Sequence, residues 1–251
     1  MKTMNKWLIG LILLVTVGCA NISQDQTNLK QGDELVVLAH GLARSGNAMW
    51  KLAQRIEGAG FHVCVIDYST IGQSLESTLQ ETENEIDLCL KNDNRVHFVG
   101  HSLGGLVIRS YLDKHKELKN TQRLGEVIFM GTPNHGSEVA DHFDGRLLMN
   151  IAGGTSQSLV TGNRSLGEVI AEPDYQAGVI AGTNSNGATN RFFDGPNDGL
   201  VSVNSTKVAN MKDFITIEVG HSIMRYDEVV ANQTIHFLNY GVFDHPNTPV
   251  Q

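Results

Sequence analysis

The chain has 251 residues, of which 41% are hydrophobic and 18% are charged, a balance typical of a globular protein and too apolar for a disordered one. Its formal net charge is −8 and its Lys and Arg residues form no cluster, which argues against nucleic acid as a partner. The sequence has no internal repeat and no long linker, so we predict one folded domain over residues 34–245.

The N-terminal segment has the features of an export signal. Two lysines precede an uncharged apolar stretch, residues 7–17, which is too short to span a membrane and predicts a signal peptide over residues 1–18. This stretch ends in Thr-Val-Gly-Cys at 16–19. The ending resembles the lipobox of bacterial lipoproteins, in which a small residue precedes the lipidated cysteine, although Thr16 stands where that family prefers Leu.

The lipobox resemblance implies that Cys19 carries a lipid anchor in a membrane. Residues 19–33 are polar and are predicted to form a tether between the anchor and the domain. Residues 20–21 lack the Asp that retains such proteins in the inner membrane, so the resemblance favours an outer-membrane location. The alternative is ordinary cleavage after Ala20, which would release a periplasmic or secreted protein.

Strand-length apolar runs alternate with helix-length segments beyond the tether. The predicted strands are 34–39, 61–68, 95–100, 126–130, 177–181 and 214–219, and the predicted helices include 50–56, 75–90 and 103–112. Continuous apolar runs that alternate with helices predict an α/β fold with a mostly parallel central sheet flanked by helices. Residues 134–174, rich in Gly, Ser and Asn, interrupt the alternation and predict a small lid-like insertion.

Cys64 and Cys89 are the two cysteines of the predicted domain. An oxidising compartment would allow a disulfide between them. The favoured alternative is two separate buried side chains, because one lies in an apolar strand and the other on an apolar helix stripe. The sequence leaves both possibilities open.

The pentapeptide Gly-His-Ser-Leu-Gly at 100–104 lies between a predicted strand and a predicted helix. This context is typical of a nucleophile elbow, a turn so tight that only small neighbours fit around the serine. Gly100, Gly104 and Gly105 supply these small neighbours. We therefore predict that Ser102 is a nucleophile; the alternative is a glycine-rich turn that binds an anion through free N–H groups.

A nucleophilic serine needs two N–H groups that stabilise negative charge on the substrate's carbonyl oxygen. The N–H of Leu103, directly after the serine, is predicted to be one of them. The other should come from the loop after an earlier strand, where His-Gly-Leu occupies 40–42, and we predict the Leu42 N–H. His40 is predicted to shape this loop rather than to act as a base.

The other two members of a serine triad follow later in the chain, the acid before the histidine. His221 comes directly after the last predicted strand, at the edge where Ser102 is expected. Asp194 and Asp198 both follow the preceding strand. Asp198 is favoured because Asn-Asp-Gly forms a tight turn that can fix the carboxylate beneath an imidazole. His101 is expected to point away from the serine's pocket.

Four motifs in this order resemble bacterial lipase- and esterase-like α/β-hydrolases. They are His-Gly-Leu at 40–42, Gly-His-Ser-Leu-Gly-Gly at 100–105, Gly-Thr-Pro-Asn-His-Gly-Ser at 131–137 and Asn-Asp-Gly-Leu-Val-Ser-Val-Asn-Ser at 197–205. The resemblance implies an eight-stranded type of sheet and hydrolysis of carboxylic esters, including lipids, through an acyl-enzyme. It also implies that no metal or organic cofactor takes part.

The same residues would serve two related reactions. An acyltransferase would pass the acyl group to an alcohol, and a thioesterase would cleave a thioester. A non-catalytic binding lipoprotein is a further alternative, but a complete set of Ser, His and Asp argues against it. The short insertion favours short or medium acyl chains over bulk triglyceride.

Overall fold

The computed structural model describes residues 34–90, 95–142, 155, 158–159, 161–162, 165–185, 187 and 189–245. The predicted signal peptide, Cys19 and the tether lie outside these residues, as does much of the predicted insertion. No helix in the described residues is long and apolar enough to cross a membrane.

One sheet of six parallel strands runs through the described domain in the order β2-β1-β3-β4-β5-β6. The strands are β1 (Leu35–Ala39), β2 (His62–Val65), β3 (Val96–His101), β4 (Leu124–Met130), β5 (Ala177–Gly182) and β6 (Met211–Ile217). The α/β prediction is confirmed, and each predicted run overlaps one strand. The described sheet is smaller than the eight-stranded type that the resemblance implied, because the chain supplies six apolar runs of strand length.

The helices cover both faces of the sheet. They are α1 (Trp50–Gly58), α2 (Leu75–Cys89), α3 (Leu103–Lys114), α4 (Glu117–Asn120), α5 (Glu138–His142), α6 (Leu166–Val169) and α7 (Glu228–Tyr240), with short 3-10 helices at Gly46–Met49 and Asn190–Phe192. Ser74 caps α2 and Asp227 caps α7, each accepting a hydrogen bond from a first-turn N–H. Gly241 ends α7 in the left-handed conformation that favours glycine.

Two apolar layers pack against the sheet. Alternate strand residues such as Val37 and Phe98 face α2 and α3, while Leu38 and Val99 face α1 and α7. Full burial of each such side chain stabilises the fold by roughly 1.5–3 kcal/mol relative to exposure. The layers therefore fix the sheet from both sides, and the strand register then decides which residues meet at its edge.

The carboxyl ends of the central strands lie side by side. Ala39 at the end of β1 pairs with Gly100 of β3, and Gly100 pairs with Phe129 of β4. Because all strands run in one direction, the loops that follow them meet at the same edge. Ser102 follows β3 at the middle of this edge.

Cys64 and Cys89 form a disulfide, which settles the question that the sequence left open. Their Cα atoms lie 6.0 Å apart, within the usual range for a bridged pair. The bridge joins β2 to the last residue of α2. A cross-link that closes a loop of this size stabilises a protein by about 3 kcal/mol.

Candidate active site

Ser102 occupies the turn between β3 and α3 in an unusual backbone conformation. Its φ is 57° and its ψ is −127°, a region that residues with a side chain rarely adopt. The Ser102 N–H donates a hydrogen bond of 2.9 Å to the carbonyl of Met130, the last residue of β4. The turn is therefore held from the neighbouring strand, and α3 begins at the next residue.

Three glycines around this turn leave no room for side chains. A Cβ on Gly104 would overlap the carbonyl of Ala39, and one on Gly105 would overlap the side chain of Thr132. A Cβ on Gly100 would overlap the backbone of Gly105. The close approach of α3 to the strand ends thus requires glycine at all three positions, as the sequence predicted.

The structure brings Ser102, His221 and Asp198 into one hydrogen-bonded chain. The Nε2 atom of His221 lies 2.9 Å from the Oγ atom of Ser102, and its Nδ1 atom lies 2.7 Å from the Oδ2 atom of Asp198. All three residues are buried, with exposed fractions of 3–9%. Asp194, the other candidate acid, is exposed to solvent.

The Asp198 carboxylate is held by its own turn. Its Oδ1 atom accepts hydrogen bonds from the N–H groups of Leu200 and Val201, at 2.9 and 2.8 Å. Its Oδ2 atom is left to accept from the Nδ1–H of His221. With the proton on Nδ1, the Nε2 atom is free to accept the hydroxyl proton of Ser102.

His101 lies inside the site, contrary to the expectation that it points away. Its Nε2 atom is 2.9 Å from the backbone carbonyl of His221, and the two rings lie 4.8 Å apart. The loop after β6 folds over the end of β3, which brings this carbonyl to the last side chain of the strand. Burial holds the pKa of His101 well below its usual range, and the nearby His221 lowers it further.

The neutral His101 therefore donates Nε2–H to the carbonyl of His221 and supports the loop that carries the candidate base. Sequence reasoning missed this contact. The Gly-His-Ser motif shows that a histidine precedes the serine, but it does not show which later loop crosses the end of β3.

The two predicted N–H donors flank Ser102. Leu103 is the first residue of α3, so its N–H has no acceptor within the helix. Leu42 follows Gly41, whose loop comes so close that a Cβ on Gly41 would lie 2.9 Å from the Cβ of Ser102. Within the described part of the chain, the Leu42 N–H has no hydrogen-bond acceptor.

His40 supports the loop that carries Leu42. It is fully buried, its Nδ1–H donates to the Gly41 carbonyl at 2.9 Å, and its ring stacks on that of Tyr68 at 4.1 Å. The Tyr68 hydroxyl donates to the His40 carbonyl. Burial lowers the pKa of His40, so the ring is neutral and has the structural role that the sequence predicted.

A cavity of about 170 Å³ opens beside Ser102. Its apolar lining comes mostly from the regions after β4 and β5 and comprises Leu42, Pro133, Val139, Ala140, Leu159, Leu200 and Val201. Two arginines, Arg44 and Arg225, also line it. No group of His, Cys, Asp or Glu side chains that could hold a metal ion occurs among the described residues.

Residues 34–169 match the sequence profile of the alpha/beta hydrolase fold. The match covers more than half of the 251 residues, and the chain therefore belongs to this family. The six-stranded parallel sheet with helices on both faces agrees with that assignment. A comparison with curated proteins found no match.

Several solved structures have the same fold at low sequence identity. The mature form of the Bacillus licheniformis lipase BlEst2 has a TM-score of 0.57 at 21% identity, over 76% of this chain and 86% of the lipase. A metagenomic carboxyl esterase has a TM-score of 0.62 at 16% identity, over 76% of this chain and 65% of the esterase. A monoacylglycerol lipase from Paleococcus ferrophilus has a TM-score of 0.52 at 16% identity, over 81% of this chain and 93% of that lipase.

Proposed function

We propose that the protein is a serine hydrolase that cleaves carboxylic esters, an esterase or lipase. The observation that carries the proposal is the hydrogen-bonded chain from Asp198 through His221 to Ser102, which ends at a serine in a strained turn. A base within hydrogen-bond reach of a hydroxyl, itself oriented by a buried carboxylate, is the arrangement that activates serine as a nucleophile.

The reaction would proceed in two halves. Ser102 Oγ attacks the carbonyl carbon of the ester while its proton passes to His221 Nε2. The bond between the carbonyl carbon and the alcohol oxygen then breaks, and His221 returns the proton to the departing alcohol. Water repeats the sequence on the acyl-enzyme, which releases the acid and restores the serine.

The other residues of the site would stabilise the charges that form. The N–H groups of Leu42 and Leu103 receive the oxygen that becomes negative, and loss of one such donor costs about a hundred- to a thousandfold in rate. Asp198 keeps the proton on His221 Nδ1 and stabilises the imidazolium. Hydrogen bonds hold the strained Ser102 turn and the Asp198 carboxylate in place before the substrate arrives.

Two further observations support an acyl ester as the substrate. The cavity beside Ser102 has apolar residues along much of its lining, which suits an acyl chain, and its volume favours short or medium chains. The solved structures with this fold include proteins described as a lipase, a carboxyl esterase and a monoacylglycerol lipase.

Turnover of p-nitrophenyl esters from acetate to palmitate tests the proposal. We expect the Ser102→Ala variant to lose activity by about 10⁴-fold or more. Ser110→Ala is the matched control, because Ser110 lies on the same helix, α3, away from His221, and it should retain activity. Full activity in Ser102→Ala would contradict the assignment of the nucleophile.

We also propose that the chain is exported and anchored to the outer membrane through lipid on Cys19. The support is the signal-like segment that ends in Thr-Val-Gly-Cys at 16–19. Metabolic labelling with an alkyne fatty acid in a bacterial host should label the protein, and Cys19→Ala should abolish both the label and membrane association. An unlabelled, freely released parent protein would contradict the anchor.

A further inference from the structure

The lining of the cavity beside Ser102 consists of two chemically different parts. Most of the apolar part follows β4 and β5, although Leu42 follows β1. Arg44 follows β1 and Arg225 follows β6. The protein as a whole has a net charge of −8, whereas the two guanidinium groups make this small cavity positively charged. A cavity lined by one sign of charge concentrates ligands of the opposite sign.

Neither arginine has an acidic partner within the described residues. Arg44 is exposed and donates to the backbone carbonyl of Ala43 at 2.8 Å. By contrast, Arg95 and Arg109 each form an ion pair with a glutamate. The charge of Arg44 is therefore available to a ligand in the cavity.

Arg225 is 4% exposed, so its charge is held in a largely dehydrated position. It donates to the carbonyls of Ala48 and Ser222, both at 3.1 Å, and its Nε–H has no acceptor among the described residues. Burial lowers the pKa of its guanidinium, the neighbouring Tyr226 opposes this shift, and the charge of Arg44 adds to it. The Tyr226 ring, whose centroid lies 5.0 Å from the guanidinium carbon, stabilises part of this charge. The charge still has no acidic partner among the described residues, and an incoming anion would compensate it.

The position of the two arginines relative to His221 indicates which part of an ester they would contact. In the proposed reaction His221 Nε2 protonates the departing alcohol, so the alcohol lies beside His221. Ser222 and Arg225 follow His221 on the same loop and line the same cavity. Arg225 therefore flanks the alcohol part, and Arg44, whose charge acts on Arg225, extends the positive region of the cavity. Most of the apolar lining is left for the acyl chain.

We propose that the substrates are acyl esters whose alcohol carries an anionic group, a phosphate or a carboxylate, bound by Arg44 and Arg225. This inference rests on the proposed ester hydrolysis at Ser102. The planar guanidinium of arginine binds both groups through two parallel hydrogen bonds, which gives orientation as well as attraction. The same chemistry occurs in a lipid headgroup and in a small soluble ester.

A matched pair of esters tests the inference with the full-length protein. The pair is butyryl-glycerol 3-phosphate and butyryl-glycerol, which differ by the phosphate alone. We expect kcat/KM to favour the phosphate ester by about tenfold, a ratio that corresponds to about 1.4 kcal/mol. The preference should fall as salt is added, because Arg44 is exposed and its attraction to the phosphate is screened.

Variants of Arg44 assign the preference to this residue without disturbing the loop that Arg225 supports. Arg44→Gln should remove most of the preference through a higher KM for the phosphate ester, and Arg44→Lys should restore part of it. Lys116→Gln is the control for the loss of one positive charge, because Lys116 is exposed and follows the far end of α3. It should leave the ratio unchanged.

The outcomes separate this inference from the proposed function. If the protein cleaves p-nitrophenyl butyrate through Ser102 but shows a ratio near one, or a ratio that Arg44→Gln does not change, the inference is wrong and the hydrolase proposal stands. If it cleaves no ester, both are wrong. Repeating the comparison with oleoyl esters in detergent micelles shows whether a lipid headgroup or a soluble ester is the preferred source of the anion.

Discussion

The two ends of the sheet each hold a buried histidine beside a carboxylate, yet the two pairs differ in what they can do. At the carboxyl end, His221 Nδ1 lies 2.7 Å from Asp198. Near the amino end, His97 Nε2 lies 3.5 Å from a carboxylate oxygen of Glu34, which is long for a hydrogen bond. The residue types are alike, so the chemistry must follow from the surroundings.

The second ring nitrogen of each histidine makes the difference. That of His221 faces the hydroxyl of Ser102 at 2.9 Å, whereas that of His97 accepts the backbone N–H of Glu126 at 2.9 Å. Arg95 lies between the glutamates at the amino end, 3.2 Å from Glu34 and 3.5 Å from Glu126. His97 therefore joins neighbouring strands and has no reactive partner, while His221 connects a carboxylate to a nucleophile.

Conversion of each carboxylate to an amide should give the largest difference in kcat between the two ends of the sheet. Asp198→Asn keeps an oxygen for the N–H groups of Leu200 and Val201 but cannot hold the proton on His221 Nδ1, so kcat should fall by about 10⁴-fold. Glu34→Gln should leave kcat nearly unchanged. Steady-state kinetics with p-nitrophenyl butyrate measure both, and comparable losses in the two variants would refute the distinction.

Addition of one methyl group at each end of the sheet compares how tightly the two ends are packed. Gly104→Ala overlaps the backbone carbonyl of Ala39, which cannot move aside, and should destabilise the fold by about 3 kcal/mol. Gly125→Ala brings a Cβ to 2.7 Å from the His97 ring, which can shift, and should cost about 1–2 kcal/mol. Urea denaturation measures both changes.

Gly58→Ala is the control for this comparison, because a Cβ at Gly58 meets no atom within 4 Å. It should be neutral or stabilise the protein by about 0.5–1 kcal/mol. Unchanged stability in Gly104→Ala would show that the turn after β3 is less tightly packed than the structure indicates.

His101 contributes to the carboxyl end as a positioning residue. His101→Leu leaves the carbonyl of His221 without its buried donor, which should lower kcat about tenfold, the effect of about 1.4 kcal/mol. His101→Gln supplies an N–H at a similar reach and should restore part of the rate. Equal loss in both variants would indicate that the ring's packing matters and the hydrogen bond does not.

The amino end should affect stability rather than rate, and with a defined pH dependence. Contact with His97 lowers the pKa of Glu34 below its usual 4.5, and the charge of Arg95 lowers it further, although burial opposes the shift. Because the pKa is lower in the folded state, ionised Glu34 stabilises the protein above pH 4.5, and this contribution is lost as the pH falls through the folded pKa.

Melting temperatures of the parent and of Glu34→Gln test this effect, which is the smallest of the four. The parent should melt slightly higher at neutral pH, and the difference should shrink as the pH falls below 4.5 and vanish once the glutamate is protonated in the folded protein. A difference that persists unchanged in acid would mean that the contribution of Glu34 does not come from its charge.

Much of the fold and of the triad geometry could be predicted because the signals are local. Apolar runs marked all six strands, and the Gly-His-Ser turn was recognisable because a strand precedes it and a helix follows. Asp198 was preferred over Asp194 from the tight turn of Asn-Asp-Gly, and the structure places Asp198 against His221. Their catalytic roles remain predictions until activity is measured.

The features that the sequence did not reveal depend on contacts between distant loops. His101 meets His221 because the loop after β6 crosses the end of β3. Arg44 and Arg225 line one cavity although 180 residues separate them, and neither belongs to a motif. Local sequence patterns carry no information about these long-range contacts, which depend on the order of the strands and the paths of the loops.

Mass spectrometry of the folded protein after reaction with a fluorophosphonate tests whether Ser102 is the nucleophile, because the probe reacts with a serine only when a base activates it. We expect a single covalent adduct on Ser102, and its loss in Asp198→Asn, where His221 is no longer oriented. A folded protein that forms no adduct, or one whose adduct lies on another residue, would contradict the assignment of Ser102 as the nucleophile.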